Sequence, residues 1–166
     1  MSLLLPEGAQ RVQDFLLSKN SERQVQLLPD STATARDAAN SLGTSVSRIG
    51  KSIVFGSNNG VIVAVICGNQ KVDINALGEA FHTINIKPLR ADRVKMQTGY
   101  VIGGVSPFAL PLDVKIVVDL SLYNLADCYV AAGHPKAVVR TSGKELVALT
   151  NSAIEAVASN HASRPS

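Results

Sequence analysis

The chain has 166 residues, a length that fits one compact domain, and its 46% hydrophobic and 17% charged residues exclude global disorder. Aromatic residues are only 4% and tryptophan is absent, so the core has to come from Val, Ile, Leu and Ala. A net charge of +3 without any long run of Lys or Arg permits an anionic partner but excludes a basic nucleic-acid arm.

From the amino end, Glu7 to Leu17 has Val12, Phe15 and Leu16 at helical spacing, with Pro6 suited to the first turn. Val25 to Leu28 reads as a short strand ended by Pro29-Asp30. Ser31 or Thr32 is the expected cap of a helix that runs to Leu42 and stops at Gly43. Val46 to Phe55 and Val61 to Ile66 are β-branched runs joined through Asn59-Gly60, a hairpin signal. Ile74 to Phe81 and Ala91 to Thr98 read as short helices, and Tyr100 to Pro111 as a Gly/Pro-rich segment. Strands are expected at Val114 to Asp119, Cys128 to Ala132 and Ala137 to Arg140, with a turn or short helix at Ser121 to Leu125. Leu146, Leu149, Ile154 and Val157 predict a last helix over Gly143 to Ala158, followed by a mobile tail. No repeat or boundary divides the chain, so residues 1–160 read as one α+β domain and 161–166 as tail.

The start, MSLLLPEGAQ, lacks a basic region and a long apolar stretch, and no apolar run is long enough to span a membrane. The expected compartment is the cytoplasm. Cys67 and Cys128 sit in apolar runs and read as small buried hydrophobes. No Cys/His spacing suggests a metal, and no cofactor motif is present.

Three features stand apart from this background. Strand alternation puts Ile49, Lys51, Ile53 and Phe55 on one face, where a lysine must either snorkel to water or meet an anion. Gly99 to Phe108 holds three glycines and a proline, which mark either a tight turn or a backbone that a ligand approaches closely. It matches neither a P-loop nor GxGxxG. His134, between Gly133 and Pro135, is placed on a defined, accessible loop, as a surface or a functional histidine. No GxSxG elbow offers a serine nucleophile.

The lysine-bearing strand IGKSIVF, the segment TGYVIGGVSPFALP and the stretch DCYVAAGHPKAVVRTSGKEL, in that order, resemble the YbaK / prolyl-tRNA-editing domain family from about Ala33 to Thr150. The most specific piece is Gly-x-x-x-Pro, Gly103 to Pro107. The resemblance implies a mixed, barrel-like sheet surrounded by helices. It also implies a trans-acting hydrolase that cleaves the ester of mischarged tRNA, usually tRNA for proline. The residue removed would be alanine or another small one: cysteine, serine or 2-aminobutyrate. The acceptor end of tRNA would be the partner, with prolyl-tRNA synthetase a further one. Lys51, Gly103 and Gly104 are the expected catalytic residues: Lys51 on a phosphate or ribose of the terminal adenosine, the glycine N–H groups on the oxyanion. His134, Ser106 and Pro107 are the expected substrate-binding residues. Many members carry Phe-Gly after the proline where this chain has Phe108-Ala109, which touches the shape of the loop. The alternative reading is a catalytically silent, regulatory binder of aminoacyl-tRNA or a nucleotide.

Overall fold

The β-branched run at the middle of the chain becomes the centre of the sheet. The computed structural model describes residues 4–160; the expected tail at 161–166, with His161, lies outside the described residues. The elements are α1 (Glu7–Ser18), β1 (Val25–Leu27), α2 (Ala35–Leu42), β2 (Ile49–Ser57), β3 (Gly60–Cys67), β4 (Gln70–Val72), α3 (Ile74–Phe81), β5 (Lys87–Pro88), α4 (Ala91–Thr98), β6 (Lys115–Asp119), α5 (Leu120–Tyr123), β7 (Cys128–Ala131), β8 (Ala137–Thr141), α6 (Gly143–Thr150), β9 (Ala153–Glu155) and β10 (Ala158–Asn160). Eight strands form one mixed sheet in the order β1-β8-β7-β2-β3-β6-β9, with β5 added beside β2; β10 and β4 form a separate pair. β2 and β3 are the predicted hairpin, closed with Ser57 opposite Gly60. The sheet ends at β1 and β9 and does not close into a barrel.

Alternation along β3 explains why both faces are covered. Val63, Val65 and Cys67 join one core with Val12 and Leu16 of α1, Leu146 of α6 and Phe108, whereas Ile62, Ala64 and Ile66 join a second with Leu77 of α3 and Val157. Both predicted cysteines are buried and free. Burial, its largest cause, pushes the Cys67 thiol up to about 11 and the Cys128 thiol to about 12, so neither is a thiolate near neutral pH.

Three sequence expectations change. The cap of α2 is Thr34, whose side chain accepts from the Asp37 N–H. Thr32 instead turns inward, and its hydroxyl donates to the Pro135 carbonyl at 2.7 Å. Val46–Arg48 is a 3-10 turn, so the strand begins only at Ile49. The long last helix is three elements: α6 stops at Asn151, which takes the left-handed conformation at φ 52°, and β9 and β10 follow. The buried carboxylate of Asp119 holds that turn, accepting from the N–H groups of Val157 at 2.8 Å and Ala158 at 3.0 Å.

Candidate functional site

The outer edge of β2 is only partly paired. β7 meets it at Ile49 and Gly50, β5 meets it at Phe55 and Gly56, and the stretch Lys51 to Ile53 between them is left open. A cavity of about 730 Å3 occupies this gap. Its walls come from the entry to α2 (Thr32 to Arg36), from β2 (Ile49 to Ile53), from Ile102, Gly103 and Val105, and from β7 (Tyr129 to Ala131). The site therefore exists because two short strands share one long edge without meeting.

Lys51 lies on this open stretch and is half-buried, on the same face as Ile49, Ile53 and Phe55. Burial lowers its pKa below 10.5, and the nearby charge of Lys71 lowers it further. Among the described residues no ion pair involves Lys51, and no Asp or Glu lines the cavity. Arg36, exposed on α2, adds a second cation to the wall. An uncompensated positive cavity of this kind favours an anionic ligand.

Gly103 also lines the cavity. The Gly104 N–H donates to the Val101 carbonyl at 3.0 Å, and Gly103 between them has φ +90°. This is the pattern of a type II turn, whose third residue needs positive φ. A Cβ at Gly103 would come within 3.1 Å of the Ala33 side chain, so the turn packs closely on the entry to α2. The Gly103 N–H has no partner among the described residues, whereas that of Gly104 is spent in the turn. Of the two expected oxyanion donors, only Gly103 has its N–H free and lies on the cavity wall. Gly104 has a packing role, because any side chain there would strike the backbone of His134.

The other expected residues are placed away from the cavity wall. Ser106 is fully buried, and its hydroxyl accepts from the Phe108 N–H at 3.1 Å. Pro107 lines a separate depression beside Phe15 and Leu110. His134 is half-buried outside the cavity lining, and its Nδ1 accepts from the Lys136 N–H at 3.0 Å. The structure brings Lys51 and Gly103 to one cavity and leaves Gly104, Ser106, Pro107 and His134 as the frame behind Gly103.

That frame has a brace that the sequence reading missed. Arg11 of α1 donates to the carbonyls of Thr98, at 3.1 Å, and Ala109, and its guanidinium lies 4.5 Å from the centre of the Tyr100 ring. The Tyr100 hydroxyl donates to the Phe108 carbonyl at 2.7 Å, and burial pushes its pKa up to about 12, so it remains a donor. A helix some ninety positions earlier in the chain thus ties both ends of the glycine loop, a contact with no local signal. Ser52 was also missed, although alternation marks it. The Leu89 N–H bonds outward to Val54 and the Gly68 N–H bonds inward to Ile49, so the main chain of Ser52 points to the open edge. Its Oγ is buried without a partner.

Comparison with known proteins places the whole chain rather than its individual site residues. Residues 29–149 match the family described as aminoacyl-tRNA editing domain. The Bacillus subtilis (strain 168) protein named "Uncharacterized protein YwhH" is 35% identical over 128 residues, covering 76% of this chain and 81% of that one. An Enterococcus faecalis (strain ATCC 700802 / V583) protein named "Putative Cys-tRNA(Pro)/Cys-tRNA(Cys) deacylase EbsC" is 29% identical over 119 residues, 71% of this chain and 73% of its own. The crystal structure of "a putative trans-editing enzyme for prolyl tRNA synthetase" superposes with a TM-score of 0.87 at 29% identity, over 95% of this chain and all of the other. With the family match spanning most of the chain and including both Lys51 and Gly103, this chain belongs to the aminoacyl-tRNA editing domain family.

Proposed function

We propose that the protein is a trans-acting deacylase that hydrolyses the ester of mischarged tRNA for proline carrying alanine or another small residue. The observation that carries this reading is one cavity that, among the described residues, holds an unpaired lysine and a positive-φ glycine with a free N–H and has no carboxylate in its wall. An aminoacyl ester is already activated, so the protein has to position it and stabilise the developing oxyanion. Lys51 takes a phosphate or ribose oxygen of the terminal adenosine. The Gly103 N–H faces the ester oxygen. His134, whose backbone supports Gly104, holds the turn in place. Among the described residues no carboxylate or histidine lines the cavity as a strong base, so the ribose hydroxyl next to the ester assists the water.

The neighbouring wall is apolar and built of small residues, Ala33, Val105, Val130 and Val138, which suits a small side chain. An apolar pocket distinguishes one methylene by only about 1–3 kcal/mol, so proline is rejected by collision of its ring with the Gly103 turn. Alanine is the first choice, with cysteine, the residue in the name of the Enterococcus relative, the main competitor.

The test is a deacylation assay on tRNA for proline charged with alanine, cysteine, serine, 2-aminobutyrate or proline. Rapid loss of alanine with prolyl-tRNA spared is the expected result, and Lys51→Ala reduces the rate at least 100-fold while the protein stays folded. No hydrolysis of any ester by a protein that still binds the charged tRNA would establish the silent binder instead.

A further inference from the structure

Among the described residues Tyr129 is the one aromatic residue in the cavity wall, in a chain with three tyrosines, four phenylalanines and no tryptophan. Its position relative to Lys51 follows from the strand register. β2 and β7 run parallel with Ile49 opposite Tyr129, so the two side chains share a face, and Lys51, two residues on, shares it too. A rise of about 3.3 Å per residue and a strand spacing of about 4.8 Å put the Cα atoms of Tyr129 and Lys51 roughly 8 Å apart.

The ring is also held in place. Arg140 is its cross-strand partner on β8, and the guanidinium lies 5.8 Å from the ring centre. Arg140 is anchored in turn by Asp127 at 2.6 Å, which also takes Arg48 at 3.5 Å. The guanidinium beside Asp127 holds that carboxyl below its usual range, so the anchor stays charged in neutral solution. The ring further packs against the α2 cluster of Ala38, Ala39 and Ile49, yet stays half-exposed at the cavity. A flat, braced, half-exposed ring beside an unpaired cation matches the two ends of a nucleotide: a base that stacks and an anion that pairs.

We propose that Tyr129 is the platform on which the base of the terminal adenosine stacks, which sets the ribose and its ester between Lys51 and Gly103. This rests on the deacylase reading for the identity of the nucleotide. The braced ring fixes one end of the adenosine and the lysine the other, so the ester carbonyl is left at the Gly103 turn. Recognition by stacking tolerates any base, and the terminal adenosine common to all tRNAs needs no finer readout.

The test uses binding without catalysis. Calorimetric titration of the wild-type protein with adenosine 5′-monophosphate and with ribose 5-phosphate should show the nucleotide binding at least about fivefold tighter, since a stacked base contributes at least about that factor. Tyr129→Leu, which keeps apolar bulk but loses the aromatic plane, should bind the two ligands alike. Tyr129→Phe should restore the preference. Thermal melting confirms that both variants fold. Equal binding of the two ligands by the wild-type protein, or a preference that survives in Tyr129→Leu, overturns the platform. Hydrolysis of alanyl-tRNA by the same wild-type preparation tests the deacylase reading separately: an active enzyme with no preference for the nucleotide overturns the platform alone.

Discussion

An ammonium that is half-buried in a cavity lined by no carboxylate among the described residues is held there at a cost, and Lys51 carries that cost in the unliganded protein. Replacing it with methionine keeps the stem and removes the charge. Lys51→Met should equal or exceed the wild-type protein in stability at pH 7, by at most about 1 kcal/mol given solvent screening. The sign of the pH dependence follows from the lowered pKa. As pH rises through the depressed folded value toward 10.5, the folded state has released a proton that the unfolded state still holds, so wild-type stability rises. Paired urea melts should therefore show the gap between Lys51→Met and wild type closing as the pH approaches 10.5. A second residue-scale test concerns Ala109, which occupies the left-handed region at φ +59° where many family members have glycine. The guanidinium of Arg11 donates to the Ala109 carbonyl and so ties this end of the loop to α1. An L-residue in that region costs about 1–2 kcal/mol and a glycine there about 0.5–1 kcal/mol in chain entropy. Ala109→Gly should raise stability by about 0.5–1 kcal/mol in the same melts. Lys51 was legible in the sequence because strand alternation is local. The division of labour between Gly103 and Gly104 was not, because it depends on which N–H a turn consumes.

At the scale of elements, local punctuation placed α3 and α4 but missed the cap of α2, and distant hydrogen bonds were not read at all. α3 and α4 have the bounds expected from the sequence, since Asp73 caps the first and Gly99 ends the second in the left-handed conformation. The end of the chain misleads because Leu146, Leu149, Ile154 and Val157 fit a helical period that the chain does not follow past Asn151. What decides the outcome is Asp119, 38 positions before Val157 in the chain. Its carboxylate takes the N–H and hydroxyl of Ser121 as well as the N–H groups of Val157 and Ala158. Asp119→Ala removes the acceptor from donors in a buried place, where each orphaned donor costs about 1–3 kcal/mol. The expected loss is about 3–5 kcal/mol by urea denaturation. Asp119→Asn, which keeps one acceptor oxygen, should lose clearly less. Little loss in either variant would show that β9 and β10 are held by their strand pairing alone.

For the whole molecule, the cavity draws on segments spread from Thr32 to Val138, and the gap that creates it depends on two strand pairings, β7 and β5 on β2. Periodicity could not show such pairings, although the order of the lysine strand, the glycine turn and the β7 strand was enough to identify the family. The same distribution of residues limits how tRNA is held. The net charge is only +3, and the cations at the cavity are Arg36 and Lys51, with Lys71 close by. Arg140 and Arg48, by contrast, are already engaged with Asp127. Counterion release lowers the logarithm of the binding constant by about 0.7 per phosphate contact for each unit of log salt when the contacted strand is single. Two or three contacts at the acceptor end thus predict a shallow slope, about −1.5 to −2, in fluorescence anisotropy titrations with an acceptor-stem minihelix. Lys51→Met should make that slope shallower by about 0.7, because one contact is lost. A wild-type slope near −5 would instead require several more phosphates to be neutralised, and hence a basic surface beyond the cavity. An unchanged slope in Lys51→Met would move Lys51 off the phosphate and onto the ribose, where pairing releases no counterion.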